Sequence, residues 1–148
     1  VAARLAEAGL EPLLLESAPG RANVVARLTG TNPSAPALLL HGHLDVVPAD
    51  PAEWTIHPFS GEIRDGIIRG RGAVDMKNAV AVVVALVQQW AAEGRRPGRD
   101  IVLAFTADEE DTAADGVRWL VARHRSCSRG APRPSASPAG SLSTRDQG

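Results

Sequence analysis

Three short stretches of this chain carry side chains that can do chemistry together. His41-Gly42-His43-Leu44-Asp45 offers two imidazoles and a carboxylate, Asp75 stands alone in Gly70-Arg71-Gly72-Ala73-Val74-Asp75-Met76-Lys77, and Asp108-Glu109-Glu110 supplies three consecutive carboxylates. Imidazole nitrogen and carboxylate oxygen are the ligands of a zinc-type divalent cation, and a carboxylate left off the metal can move a proton. Taken singly, each stretch has a plainer reading. A histidine after a strand is commonly a polar loop residue, Asp45 can cap a turn, Asp75 can be a helix N-cap, and Asp108-Glu109-Glu110 can be a solvated acidic loop. Gly70-Arg71-Gly72 is a weak phosphate-loop signal, because no Lys-Ser/Thr pair follows to grip phosphate and magnesium. The order and context of the three stretches, not any one of them, favour a metal.

Secondary-structure elements must bring these residues together. Residues 2–9 predict a short helix stopped by Gly9. Apolar runs at 13–16, 23–28 and 37–40, bounded by Pro19-Gly20 and the turn-rich stretch 31–36, predict strands. Leu38-Leu39-Leu40 is continuous and not alternating, which predicts a strand covered on both faces. Residues 41–63 read as loop, and Asp65-Gly66 between apolar pairs predicts a hairpin turn. The stretch 77–93 is valine-rich but too long for a strand, and predicts a buried helix closed at Gly94. Residues 101–106 predict a strand, and 115–124 a helix with Asp115 as N-cap and Val117, Leu120 and Val121 on one face. Strands alternating with helices imply an α/β fold, a mostly parallel sheet flanked by helices. Ligand crevices of such sheets lie outside the carboxyl ends of the strands, which puts His43, Asp45 and Asp108-Glu109-Glu110 on one rim with Asp75 within reach.

Composition narrows the classes of function. A chain of 148 residues, 44% hydrophobic, can bury one core without disulfides, and the single Cys127 has no internal partner. With 16 basic against 17 acidic residues there is no basic field to attract nucleic acid or anionic lipid. No run of ~20 apolar residues free of charge is present to span a membrane. The chain begins at Val1, which leaves a preceding targeting segment open, and the expected location is the cytoplasm.

Leu40-His41-Gly42-His43-Leu44-Asp45-Val46-Val47-Pro48, then Trp54, Pro58-Phe59, the stretch Gly70 to Lys77, and Thr106-Ala107-Asp108-Glu109-Glu110, in that order, resemble the co-catalytic zinc peptidase and deacylase family. That family includes aminoacylase, acetylornithine deacetylase, succinyl-diaminopimelate desuccinylase, glutamate carboxypeptidase and carnosinase-like dipeptidases. The resemblance covers residues 1–124 and implies an incomplete zinc-exopeptidase-like catalytic domain. It also implies two zinc ions, for which cobalt can substitute, and a substrate that is an N-acyl amino acid or a short peptide. Nucleic acid and membrane are not implied partners, and the complete protein would form a homodimer.

By the same resemblance His43 is a terminal ligand of one zinc, Asp75 bridges both, and Glu110 is a terminal ligand of the second. Asp45 would accept the other ring N–H of His43 and fix its tautomer. Glu109 would stay off the metal, take a proton from the attacking water and pass it to the leaving nitrogen, while the paired metals acidify water and polarise the carbonyl. Trp54 and Phe59 are expected to pack the long loop. Arg69 stands where the family usually has Trp or Tyr, and Asp111-Thr112-Ala113 replaces a small, glycine-rich stretch, which bears on how Glu109 and Glu110 are presented. The family's two further ligands, an acidic residue soon after this helix and a distant histidine, are not identifiable, nor is its inserted lid and dimerisation domain. Each zinc would keep two protein ligands where catalytic zinc has three, so the isolated chain is expected to be inactive or nearly so. The alternative is a non-catalytic module that binds a peptide or a single metal on the same fold.

Residues 125–148 fall outside the motifs and are rich in Ser, Pro, Arg and Gly. They read either as a disordered tail or as a frameshifted translation. Back-translated with GC-rich codons and read in a neighbouring frame, Arg125-Ser126-Cys127-Ser128 yields Pro-Glu-Leu-Phe. Residues 134–141 likewise yield Ile-Ser-Glu-Ser-Gly-Gly-Phe, which resembles the family segment bearing the acidic ligand.

Overall fold

The computed structural model describes residues 1–124; the tail discussed above lies outside the described residues. Pro19-Gly20 leaves only a tight turn between the first two apolar runs, so β1 (Leu13–Ala18) and β2 (Arg21–Leu28) pair antiparallel, with Leu13 opposite Val25. β6 (Ile101–Thr106) lies antiparallel on the other side of β2, with Val24 opposite Phe105. β3 (Leu38–His43) pairs with β6 in parallel, from Leu38 opposite Ile101 to His43 opposite Thr106. A parallel neighbour needs a long crossover, and α2 (Asn78–Ala92) supplies it between β3 and β6. The sheet order is β1-β2-β6-β3, and only the last pairing is parallel. The expected mostly parallel sheet is therefore mixed, because the hairpin turn forces β1 and β2 to run in opposite directions.

Helices cover both faces, as the α/β reading requires. On one face α1 (Ala2–Glu7) and α2 bring Leu5, Val80, Val84 and Val87 against Val24, Ala26, Leu103 and Phe105. On the other, Leu120 of α3 (Val117–Arg123) meets Val25 and Val102. Each such large side chain contributes about 1.5–3 kcal/mol by leaving water.

Several expectations are corrected. β3 is the outer strand, so Leu38 and Leu39 are exposed and the strand is not covered on both faces. α2 buries only one side, with Val82 and Leu86 exposed. α3 begins after Gly116, not at Asp115, and Val117 and Val121 are exposed beside the buried Leu120. The hairpin of β4 (Ile63–Arg64) and β5 (Ile67–Ile68) turns at Asp65-Gly66 as predicted. Phe59 is exposed and does not pack the loop; Trp54 is half-buried, with the Arg71 guanidinium 5.3 Å from its ring centre. Among the described residues no helix is long and apolar enough to cross a membrane.

Candidate metal centre

Because β3 and β6 run parallel and in register, both deliver their following residues to the same pole of the sheet. The Leu44 N–H donates to the Thr106 carbonyl at 2.8 Å and keeps the two exits side by side. His43 is the last residue of β3, not a loop residue, and it is 4% exposed. A strand holds its ring more rigidly than a loop would.

Asp75 arrives from the turn Ala73–Lys77 that leads into α2. Gly72 makes this approach possible: its φ is +75° and a Cβ there would lie 2.4 Å from Val46 Cγ1. The Lys77 N–H closes the turn on the Gly72 carbonyl at 2.9 Å, and Lys77 Nζ donates to the Leu44 carbonyl at 2.7 Å, tying the turn to the β3 exit. Asp75 is not a helix N-cap. Its carboxylate turns to His43, while the cap position of α2 is Lys77 and carries no side-chain capping bond.

The side chains then meet. His43 Nε2 lies 3.0 Å from Asp75 Oδ1 and 3.8 Å from Glu109 Oε2. On the other side of the ring, Nδ1 lies 3.1 Å from the Asp45 carbonyl oxygen and 3.5 Å from Asp45 Oδ1. Asp45 Oδ2 accepts the Glu110 N–H at 3.0 Å, so Asp45 meets the ring through its backbone carbonyl, not through its carboxylate as expected, and holds the acidic loop through its carboxylate. One ligand atom from each of His43, Asp75 and Glu110 falls within 4.8 Å of the others. Glu109 stands at the margin of that group, its side chain half exposed.

The electrostatics follow from this crowding. Burial alone would lower the His43 pKa, but the Asp75 carboxylate, the Asp45 carbonyl and the charges of Asp45 and Glu109 together raise it above the usual histidine value. Burial would raise Asp45, but the backbone N–H groups of Glu110 and Glu109, with the His43 charge, hold its carboxyl below the usual range. Four carboxylates (Asp45, Asp75, Glu109 and Glu110) surround one imidazole. Asp45 Oδ1 is also buried with no hydrogen-bond partner.

Metal–ligand bonds near 2 Å place ligand atoms roughly 3–4 Å apart; a nitrogen and two oxygens that already lie within 4.8 Å of one another, in excess negative charge, approach the spacing that a divalent cation takes. A cation on Nε2 would also fix the Nδ1 proton toward Asp45.

The profile of peptidase family M20/M25/M40 matches residues 39–137, more than half of the chain. This chain belongs to that family. The M20 match takes in all three motifs and continues past residue 124. Succinyl-diaminopimelate desuccinylase from Xanthomonas campestris pv. campestris (strain B100) is 45% identical over 126 residues, covering 78% of this chain and 33% of the relative. Human carnosine dipeptidase 1 shares the M20-type fold with a TM-score of 0.69 at 25% identity, over 81% of this chain and 27% of that one. An M20 family metallo-carboxypeptidase from Sulfolobus solfataricus superposes with a TM-score of 0.61 at 24% identity, over 73% of this chain and 24% of that one. The chain thus spans a third or less of the length of these relatives.

Within this cluster, not every residue of the motifs joins. His41 Nε2 sits 3.0 Å from Thr106 Oγ1 and takes no part in the ligand group. Asp108 is buried, with φ +64°, and turns back into its own loop, where Oδ2 takes the Asp115 N–H at 3.1 Å and the Thr112 hydroxyl at 3.0 Å. The Asp115 N–H bond, acting against desolvation and helped by Thr112, holds the Asp108 carboxyl below its usual range. Three consecutive acids therefore have three different surroundings. Sequence reasoning did not single out Lys77 or Asn23, which support the site from outside it. The available signal for Asn23 was an amide in front of Val24-Val25-Ala26, in a strand where such a residue is unfavourable unless bonded.

Proposed function

We propose that the protein of which this chain is part is a zinc-dependent hydrolase of amide bonds, acting on an N-acyl amino acid or a short peptide. The convergence of His43, Asp75 and Glu110 from three separate segments, with Glu109 beside them and outside the ligand group, carries this reading. Zinc suits a nitrogen-and-carboxylate ligand set, and when bound it would supply Lewis acidity to the carbonyl and to water. His43, Asp75 and Glu110 would hold the metal. Asp45 orients His43 through Nδ1 and holds the Glu110 backbone in place. Glu109 accepts a proton from the attacking water and returns it to the leaving nitrogen. The desuccinylase and dipeptidase names of the relatives support a small acylated or peptide substrate. Among the described residues the ligand set suffices for one ion, and the full activity belongs to the longer protein.

Zinc titration by calorimetry, with hydrolysis of N-succinyl amino acids, N-acetyl amino acids and dipeptides by the full-length protein, tests the reading. Glu109→Gln should remove most turnover and leave zinc affinity within about two-fold, since roughly 10²–10⁴-fold is the usual contribution of a proton-transfer group. Turnover that survives Glu109→Gln would show that Glu109 is not the base, whereas zinc binding with no turnover by the unsubstituted full-length protein would favour a module that binds without catalysis.

A further inference from the structure

The acidic loop is held from strands that contribute nothing to its motif. Asn23 is completely buried on β2, where an amide must have its hydrogen bonds made inside the protein. Its Oδ1 accepts the Ala107 N–H at 3.0 Å, and its Nδ2 donates to the Asp115 carbonyl at 2.9 Å and the Leu15 carbonyl at 3.3 Å. Ala107 and Asp115 bracket the loop that carries Glu109 and Glu110. A single side chain therefore clasps both ends of a loop 84 and 92 positions away.

Two further contacts close the same base. The Ser17 hydroxyl on β1 donates to the Asp115 carbonyl at 2.8 Å. Gly116 lies so close to Ala107 that a Cβ on it would fall 1.9 Å from the Ala107 carbonyl oxygen, a place only glycine can fill. Inside the loop, Asp108 ties Thr112 and Asp115 together. Once the base is shut, the Glu110 N–H reaches Asp45, and Asp45 in turn faces His43.

We propose that Asn23 is a positioning residue of the metal centre: by binding Ala107 and Asp115 with one buried amide, it sets where Glu109 and Glu110 stand relative to His43 and Asp75. What this placement serves rests on the metal reading above; the placement itself does not. If Asn23 only satisfied the ends of its neighbouring strands, its loss would be felt at Ala107 and Asp115 and would stop there. As a positioning residue, its loss travels to the Glu110–Asp45 bond.

Two measurements on the 148-residue chain separate these cases: amide hydrogen exchange by NMR without metal, and Co²⁺ binding followed by visible absorption. Asn23→Ala should speed exchange at the Glu110 amide and weaken Co²⁺ binding by roughly ten-fold or more, the usual loss when an outer support of a metal site is removed. Val87→Ala, which opens the α2 core, should lower stability while leaving Glu110 exchange ahead of global unfolding and Co²⁺ affinity unchanged. Combined with Glu110→Ala, Asn23→Ala should add no further loss of Co²⁺. Should Asn23→Ala fail to fold, Asn23→Ser, which leaves a neutral hydroxyl in the pocket but is too short to reach both Ala107 and Asp115, should show both effects in smaller measure. Unchanged Glu110 exchange in a folded Asn23 variant overturns the proposal. Absence of Co²⁺ uptake by both the unsubstituted chain and the full-length protein overturns the metal reading instead, and Glu110 exchange then still decides the role of Asn23.

Discussion

The two poles of the sheet handle buried charge in opposite ways. At the pole where β3 and β6 begin, Asp100 is 3% exposed and receives the Gly30 N–H at 2.8 Å, while Arg27 Nε stands 3.0 Å from its other oxygen. Arg96 donates to the Gly30 carbonyl at 2.6 Å, and the Leu38 N–H closes on the Asp100 carbonyl at 2.9 Å. Each carboxylate oxygen there has a fixed protein partner, and the charge is balanced by a side chain. At the pole where the same strands end, four carboxylates face one imidazole and a buried oxygen of Asp45 accepts no hydrogen bond. The first pole pairs its carboxylate with a side-chain cation and holds the fold; the second gathers several carboxylates around one imidazole. This difference supports the second pole as the candidate site for a cation.

Substitutions at the two poles should therefore fail differently. The largest expected effect is at the closed pole: Asp100→Ala leaves Arg27 buried beside an empty acceptor site and should cost about 3 kcal/mol or more in denaturant unfolding. It should not change metal affinity in the fraction that stays folded. An unfolding midpoint close to that of the unsubstituted chain would show that this pole is less closed than its geometry indicates.

At the open pole, Glu110→Gln should leave the stability of the metal-free chain within about 0.5 kcal/mol, because it removes one of several like charges from a partly exposed position. Metal binding should suffer instead, by more than the roughly 10–100-fold typical of supporting residues. Zinc at about 100 times its Kd should stabilise the unsubstituted chain by about 2.7 kcal/mol and leave Glu110→Gln nearly unmoved in a thermal melt. Equal zinc-induced shifts in both proteins would break the assignment of Glu110 to the centre.

The smallest effect lies in the acidic loop of the open pole. Ala113 has φ +56°, in the left-handed region that glycine enters freely. Ala113→Gly should stabilise the chain by up to about 1 kcal/mol, as relief of that backbone outweighs the added freedom of the unfolded state. A loss of stability would mean that the alanine methyl makes a contact worth more than the strain.

Much of this was legible beforehand. The hairpin at Asp65-Gly66, the strand at 101–106 and the helix from the 77–93 run are local features, written by turn chemistry and apolar periodicity over a few residues. His43, Asp75 and the Asp108-Glu109-Glu110 stretch stood out because they follow apolar runs or precede a helix, and the ligand roles proposed for them come from the family resemblance. The mixed pairing of the sheet was not, since it depends on which strands meet across long separations. Exposure of Leu38 and Leu39 was hidden for the same reason: an edge strand and a central strand can have the same apolar run.

By itself, then, the sequence determined which side chains could hold a metal, and that they come just after strands or just before a helix. Only the tertiary structure decided that Asp108 turns back into its loop while Glu110 turns to Asp45, and that Asn23 clasps the loop base. It also decided that one pole closes its charges internally and the other does not. The reason is physical: the types and local spacing of residues are carried along the chain, whereas the satisfaction of a buried polar group depends on partners 65 to 98 positions away, which come within hydrogen-bond distance only when the strands pair.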